Sequence, residues 1–166
     1  MRIQVENARK EEGTQFPFSF VQPASQLGNV EDMPWHDSDI AVSGSYWFDG
    51  VHLRVEGTVG TTGVYTCGRC LTPVEIERKE ALSEVYGTEA ELPDDVSPYN
   101  GEYIDLTETD RELLILSEPM KVLCRSDCAG LCPECGVNLN EGACSCRIGG
   151  TDPRLAILGD LLNREH

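Results

Sequence analysis

The sequence predicts an α+β fold: an antiparallel, β-rich N-terminal part with a hairpin-borne zinc knuckle, followed by a helix, a cysteine-rich metal lobe and a C-terminal helix. Three observations predict it. Alternating apolar and polar residues fill the first half of the 166-residue chain, eight cysteines fall in close pairs, and two apolar stripes have helical spacing. We expect one folding unit with a β-rich domain (1–86), an acidic linker and helix (87–120), and the zinc lobe with its helix (121–166).

The first strands are short or interrupted. Residues 2–5 and 16–20 alternate in hydrophobicity, and Pro17 predicts an edge position or a strand start, because proline cannot donate to a sheet ladder. Asp49-Gly50 follows, between two alternating runs over residues 40–48 and 51–59. This dipeptide predicts a hairpin with a type I′ turn, in which both central residues have positive φ.

A second hairpin is predicted around the first cysteine pair. Residues 63–66 run into Cys67-Gly68-Arg69-Cys70, and residues 71–86 leave it with alternating polarity. The pair is therefore expected at the tip of a β-hairpin, which is typical of a zinc knuckle. A redox C-x-x-C motif would instead need a helix N-terminus to lower the thiol pKa.

Two helices are predicted in the second half of the chain. Thr107 can cap the first, and acidic residues in its first turn suit the helix dipole. Its buried side is expected to consist of Leu113, Leu114, Ile115 and Leu116. Asp152-Pro153 begins the second helix. The apolar stripe of that helix contains Leu155, Ile157, Leu158, Leu161 and Leu162.

The eight cysteines predict two metal sites with four thiolates each. Tetrahedral zinc takes four sulfurs at about 2.3 Å, and two tight turns facing each other can supply them. One site is predicted from proximity in the sequence: Cys132, Cys135, Cys144 and Cys146. The other follows by elimination: Cys67, Cys70, Cys124 and Cys128. Cys124 and Cys128 could instead exchange roles with the neighbouring pair.

Disulfides and iron–sulfur clusters are the alternative uses of the thiols. The segment 1–6 has no apolar signal region, which indicates the reducing cytosol rather than a disulfide-forming compartment. Thiols one or two residues apart are also awkward disulfide partners. An iron–sulfur cluster remains an alternative because it too uses four thiolates. A catalytic zinc keeps an open position, so closed four-cysteine sites favour structural Zn²⁺.

Charge limits the possible partners. The chain has 29 acidic and 13 basic residues, a net charge of −16, and eight acids without a base lie between Gly87 and Asp110. Such a chain repels phosphate backbones, so any nucleic-acid role is expected to be local or to act through a basic partner. Four basic residues flank thiols and are weak candidates for RNA or partner contact: Arg69, Lys121, Arg125 and Arg147.

No enzyme or membrane motif is found in the sequence. There is no Gly-rich phosphate loop, no H-E-x-x-H, and no nucleophile with an identifiable base. No apolar run approaches the ~18 residues of a membrane span. We therefore expect a soluble, cytoplasmic, non-enzymatic protein without a small-molecule substrate or a membrane partner.

The order of motifs resembles the YceD family, the proteins named for large ribosomal RNA subunit accumulation. The resemblance is carried by Cys67-x-Arg69-Cys70-Leu71, by the Cys-x-x-x-Cys-x-Gly-Leu-Cys-Pro-x-Cys-Gly run over 124–136, by 138–140, and by 152–155. It implies a role in the maturation or accumulation of large-subunit ribosomal RNA, in the bacterial cytoplasm or in plastids. It supplies no catalytic residue.

Resemblance and charge together predict a factor that acts on ribosome assembly. The expected partner is a ribosomal protein, a large-subunit rRNA precursor, or an RNA–protein intermediate, with a basic protein favoured by the acidic surface. A redox-regulated zinc-binding chaperone is the alternative function, in which oxidation would eject zinc and free a binding surface.

Overall fold

The computed structural model describes residues 1–88 and 93–146. The predicted C-terminal helix and Arg147 lie outside these ranges. Over the described part the fold is α+β with mostly strands, as expected. The elements in chain order are β1 (Arg2–Gln4), α1 (Glu6–Lys10), β2 (Phe16–Pro23), a 3₁₀ turn (Ala24–Leu27), β3 (Asp39–Phe48), β4 (Leu53–Thr66), β5 (Pro73–Gly87), β6 (Ser97–Pro98), β7 (Tyr103–Asp105) and α2 (Thr107–Leu116).

A five-stranded sheet forms the body of the protein. Its order is β2-β3-β4-β5-β6; the first four strands are antiparallel neighbours along the chain, and β6 pairs with β5 in parallel. β1 and β7 form a separate antiparallel pair. β2 lies at the edge of the large sheet, the position that Pro17 predicts.

The turn between β3 and β4 is not the predicted type I′ turn. Asp49 does not have positive φ, whereas Gly50 does (97°). The Asp49 N–H donates to the His52 carbonyl (3.0 Å), which puts Gly50 and Val51 at the tip. Asp49 Oδ1 accepts hydrogen bonds from the N–H groups of His52 (2.7 Å) and Val51 (3.0 Å). These bonds, together with the Arg54 guanidinium at Oδ2 (2.6 Å), lower the pKa of Asp49 to about 2. The aspartate thus holds this turn by accepting hydrogen bonds from its backbone.

Two glycines lie opposite each other where β3 and β4 come closest. Gly44 pairs with Gly57 across the ladder. A Cβ on Gly44 would lie 2.1 Å from the Glu56 carbonyl oxygen, and one on Gly57 would lie 2.3 Å from that of Ser43. Such distances are too short for any side chain, so this close approach of the two strands requires glycine on both.

Two apolar clusters hold the described residues together. The larger contains the inner face of the sheet and the segments packed on it: Trp35, Ile40, Val42, Leu53, Val55, Val59, Leu82, Ile104, Leu106 and Leu114 are among its members. The smaller cluster contains Cys67, Cys70 and Cys128, with Val74, Leu123 and Leu131 packed against it. Three of the four cysteines of the first predicted site therefore belong to a small core of their own.

The start of α2 differs from the prediction. Leu106 occupies the N-cap position and makes no side-chain cap bond, so Thr107 is the first helical residue rather than the cap. The Thr107 N–H donates to Asp105 Oδ1 (3.1 Å). A carboxylate just before the helix thus takes the role assigned to the threonine, and it suits the positive end of the helix dipole.

The buried face of α2 also differs. Leu114 is fully buried as predicted, but Leu116 is 84% exposed, and Asp110 is the residue that joins Leu114 on the inner face. Residues four apart share one face of a helix, whereas residues two apart point in nearly opposite directions, so Leu114 and Leu116 cannot both be buried here. Neither α-helix of the described ranges has the length and apolar content for crossing a membrane.

The hairpin of β4 and β5 extends past the rest of the sheet. β3 pairs with β4 as far as Ala41 opposite Gly60, while β4 and β5 stay paired to Thr66 opposite Pro73. We call the projecting part, residues 61–78, the arm. Six residues of strand span about 20 Å, so the arm carries its tip well away from the body of the sheet.

One carboxylate ties the arm to the end of α2. Glu118 Oε1 accepts hydrogen bonds from Arg78 Nη1 (2.6 Å), Trp35 Nε1 (2.7 Å) and Tyr65 Oη (3.3 Å). Arg78 Nη2 also donates to the Leu114 carbonyl (3.1 Å), and the Arg78 side chain is 5% exposed. This network fixes the base of the arm and therefore the position of the cysteines at its tip.

Candidate metal centres

The first thiol group joins the tip of the arm to the chain after α2. Cys67 and Cys70 lie in the connection between β4 and β5, and Cys124 and Cys128 come from the segment that follows α2. Their four sulfurs lie within 4.8 Å of one another. The Sγ atoms of Cys67 and Cys128 are 3.8 Å apart, and those of Cys70 and Cys124 are 3.5 Å apart.

The second thiol group lies wholly in the segment after α2. It consists of Cys132, Cys135, Cys144 and Cys146, whose sulfurs also lie within 4.8 Å of one another. The structure thus places the cysteines in the two sets that their spacing suggested. Metal binding by those sets remains a prediction.

The sulfur separations fit a tetrahedral ion. Four sulfurs at about 2.3 Å from a central ion are separated by about 3.8 Å, close to the two distances in the first group. A disulfide would need about 2.05 Å, and all eight cysteines are free. Each group could therefore hold a metal ion with all four positions filled by protein, as in structural zinc sites.

The first knuckle is a tight turn closed by two backbone hydrogen bonds. The Cys67 N–H donates to the Thr72 carbonyl (2.9 Å), and the Leu71 N–H donates to the Cys67 carbonyl (3.0 Å). Backbone N–H groups of Cys70 and Arg69 hydrogen-bond the Cys67 sulfur and lower the pKa of this thiol to about 6. The turn thus prepares one sulfur to become a thiolate, the form that binds metal.

The second knuckle repeats this pattern. The Cys132 N–H donates to the Val137 carbonyl (2.9 Å), and the Gly136 N–H donates to the Cys132 carbonyl (2.9 Å). Backbone N–H groups of Cys135 and Glu134 lower the pKa of Cys132 to about 6. Two stretches with little sequence in common therefore fold into the same turn, with the same pair of backbone hydrogen bonds.

In the other pair of each group, Cys124 and Cys146 have a raised pKa instead. Hydrogen bonding to the neighbouring sulfur, chiefly that of Cys70, raises the pKa of Cys124 to about 12, and Cys135 is the chief cause of a similar rise at Cys146. Four closely packed thiols cannot all ionise alone, because each thiolate disfavours the next. A bound dication would remove this repulsion and stabilise all four thiolates.

Asn140 links the two groups, although it ligates neither. It lies in the loop between Cys135 and Cys144, yet its Nδ2 donates to Cys128 Sγ of the first group (3.4 Å). Its Oδ1 accepts from the Ala129 N–H (2.8 Å) and from Arg125 Nη2 (3.0 Å). A donor to a ligand sulfur orients that ligand and tunes its charge. Sequence spacing pointed to the cysteines but gave no sign of this contact.

The basic residues chosen from the sequence have different roles. Arg69 Nη1 donates to the Cys128 carbonyl (2.8 Å), so this guanidinium braces the first group. Arg125 is the donor to the linking asparagine. Lys121 is exposed, and Arg147 lies outside the described ranges. Two of the four candidates are therefore engaged within the chain, and no RNA contact is assigned to them.

Fold and thiols together define a small α+β protein with two tetracysteine groups, one of them at the tip of a β-hairpin. Residues 55–162, more than half of the chain, match the model of the family described as large ribosomal RNA subunit accumulation protein YceD. The chain belongs to this family. Both cysteine groups lie within the matched range.

Several curated proteins are similar to this chain. An uncharacterized protein of Mycobacterium tuberculosis is 37% identical over 119 residues, covering 68% of this chain and 57% of the relative. An uncharacterized protein of Mycobacterium leprae is 34% identical over 118 residues, covering 66% and 53%. The large ribosomal RNA subunit accumulation protein YCED homolog 1, chloroplastic, of Arabidopsis thaliana is 26% identical over 141 residues, covering 66% and 44%.

These relatives are longer proteins. The chain spans about half the length of the curated relatives that it matches. No solved structure matches it.

Proposed function

We propose that this protein is a non-enzymatic factor that assists the accumulation or maturation of large-subunit ribosomal RNA. The family match over residues 55–162 carries the proposal, and the printed name of the chloroplastic relative supports it. The net charge of −16 favours action through a basic ribosomal protein or an RNA–protein intermediate over direct binding of bare RNA. We place this activity in the cytoplasm.

The proposal gives the eight cysteines a structural role. Two closed zinc sites would hold the segment after α2, because residues 117–146 contain no helix or strand of their own apart from one isolated bridge. A segment with so little regular structure gains its folding free energy from the bound ion. The zinc sites would thus serve to present a rigid surface.

The test is the balance of the two ribosomal RNAs in cells. Deleting the gene is expected to lower the ratio of large-subunit to small-subunit ribosomal RNA, and the wild-type gene is expected to restore it. The Cys67→Ser variant, which removes a ligand of the first group, is expected to restore it poorly. An unchanged ratio in the deletion strain would refute the proposal.

A further inference from the structure

The two knuckles differ at one position of the same backbone turn. The residue after the second cysteine is Gly136 in one knuckle (φ 75°) and Leu71 in the other (φ 61°). In both, its N–H donates to the carbonyl of the first cysteine. Left-handed backbone of this kind favours glycine, because a Cβ there crowds the following carbonyl. The first knuckle therefore has a leucine at a position where the backbone conformation favours glycine.

Burial does not compensate for this conformation. The Leu71 side chain is 62% exposed and belongs to neither apolar cluster. A residue held in a disfavoured conformation without packing in return is a mark of a functional position. Here it places an aliphatic side chain in solvent at the tip of the arm.

The residues around Leu71 indicate which class of partner it contacts. Arg69 directs a guanidinium nitrogen to the Cys128 carbonyl. Glu75 and Glu77, on the strand that leaves the knuckle, are exposed. An aliphatic side chain offers no ring on which a base could stack, and the net charge of −16 repels phosphates. These features favour a protein partner over RNA.

We propose that Leu71 is the anchor of a protein-docking site and inserts into an apolar pocket on a basic partner. The inference rests on the proposed function, which makes that partner a protein of the large ribosomal subunit. The knuckle then has two tasks: its cysteines bind metal, and the metal-braced turn presents Leu71. A rigid turn suits the presentation of an anchor, because its backbone is already ordered before the partner binds.

The test is the Leu71→Gly variant of the full chain, loaded with zinc. The probe is the protein fraction extracted from purified large ribosomal subunits, with bound proteins identified by mass spectrometry at low salt. We expect the wild type to retain one basic protein and Leu71→Gly to bind it at least about tenfold more weakly. Its zinc content should be unchanged, and its Tm unchanged or about 2–4 °C higher, since glycine suits this backbone.

Two matched variants distinguish loss of the Leu71 anchor from a general effect of truncating an exposed aliphatic residue. Leu71→Met keeps a flexible apolar side chain and is expected to keep binding. Val137→Ala truncates an exposed aliphatic residue of the other knuckle and is expected to bind as the wild type does.

Several outcomes would overturn the inference. These are full binding by Leu71→Gly, loss of zinc and a lower Tm in that variant, or binding of the wild type to purified large-subunit RNA alone. In cells, a deletion strain fully restored by Leu71→Gly would refute the anchor and leave the proposed function standing. A deletion strain with normal ribosomal RNA would refute the proposed function itself.

Discussion

Asp110 is a buried carboxylate without a partner. It lies at 0% exposure on the inner face of α2, and neither of its oxygens has a hydrogen bond. Burial raises its pKa to about 7; Glu84 and Asp105 push the pKa in the same direction, and the N-terminal amine opposes them. The helix thus carries an acid that is costly to ionise in the folded state.

This acid predicts a specific pH dependence of stability. The folded state binds a proton up to about pH 7, whereas the unfolded carboxyl loses it near 3.8. The contribution of Asp110 to the free energy of unfolding therefore decreases as pH rises from the unfolded pKa toward the folded pKa. The decrease is up to about 1.4 kcal/mol per pH unit. Asp110→Asn should gain stability relative to wild type between pH 5 and 8, measured by urea unfolding.

An exposed acid provides the control for this measurement. Glu77→Gln, on the outer face of β5, should follow the wild type across the same pH range. Parallel curves for Asp110→Asn and the wild type would contradict the prediction.

Single residues also mark the limit of what sequence could predict. Cysteine spacing suggested both thiol groups, because metal ligands must be close in space and their turns are local. Asn140 could not be found in this way, since its contact with Cys128 depends on how two loops fold together. Asp110 was missed because a charged residue in a helix pattern is normally assigned to the solvent side.

At the scale of elements, the junction between the arm and α2 predicts a large effect of one substitution. Glu118→Ala would remove the closer of the two carboxylates beside Arg78, which is 5% exposed, and would leave Glu80 at 3.5 Å. It would also leave Trp35 Nε1 without its acceptor. We expect a loss of roughly 2–4 kcal/mol, below the full cost of breaking a buried ion pair because Glu118 is 26% exposed. Urea unfolding followed by tryptophan fluorescence measures it.

An exposed acid on the arm itself serves for comparison. Glu75→Ala changes an exposed carboxylate of β5 and should cost little. If both variants unfold at the same urea concentration, the network around Arg78 does not fix the arm.

The positions of the strands were easier to predict than the turn between β3 and β4 or the buried charged residue in β5. Alternation placed β2 to β5 well, since one face of each strand is buried. The turn at Asp49 differed because the aspartate side chain accepts backbone hydrogen bonds, an interaction that the dipeptide pattern does not reveal. Arg78 occupies an inward position of β5, where alternation leads one to expect an apolar residue.

At the scale of the whole molecule, metal removal should affect one part of the chain. We expect two zinc ions per chain and no free thiols in protein purified without oxygen, by elemental analysis and thiol titration. Chelation should abolish hydrogen-exchange protection over 117–146 and leave the β3–β4 ladder protected, because the sheet has its own apolar cluster.

Two results would contradict this account. Unchanged protection over 117–146 after chelation would show that the metal does not hold this segment. One zinc with four reactive thiols would instead favour the redox-regulated chaperone, especially if mild peroxide released that zinc.

The whole chain extends beyond the family match. The match begins at residue 55, within β4, yet β2 and β3 supply two strands of the same sheet. The division into 1–86, 87–120 and 121–166 stays a prediction. Because β2 pairs with β3 and β3 with β4, the sheet that carries the arm includes strands from before the match.

The contact of Asn140 with Cys128 has a consequence for life at low zinc. If both groups bind metal, an ion in the second group would fix the loop that carries this amide, and the fixed amide would orient Cys128 Sγ in the first group. Binding free energies that are linked in this way are reciprocal, so each ion would strengthen the binding of the other. If the metal is zinc, singly loaded molecules should be rarer under zinc starvation than independent binding would give, and the cell would lose working copies in number more than in quality.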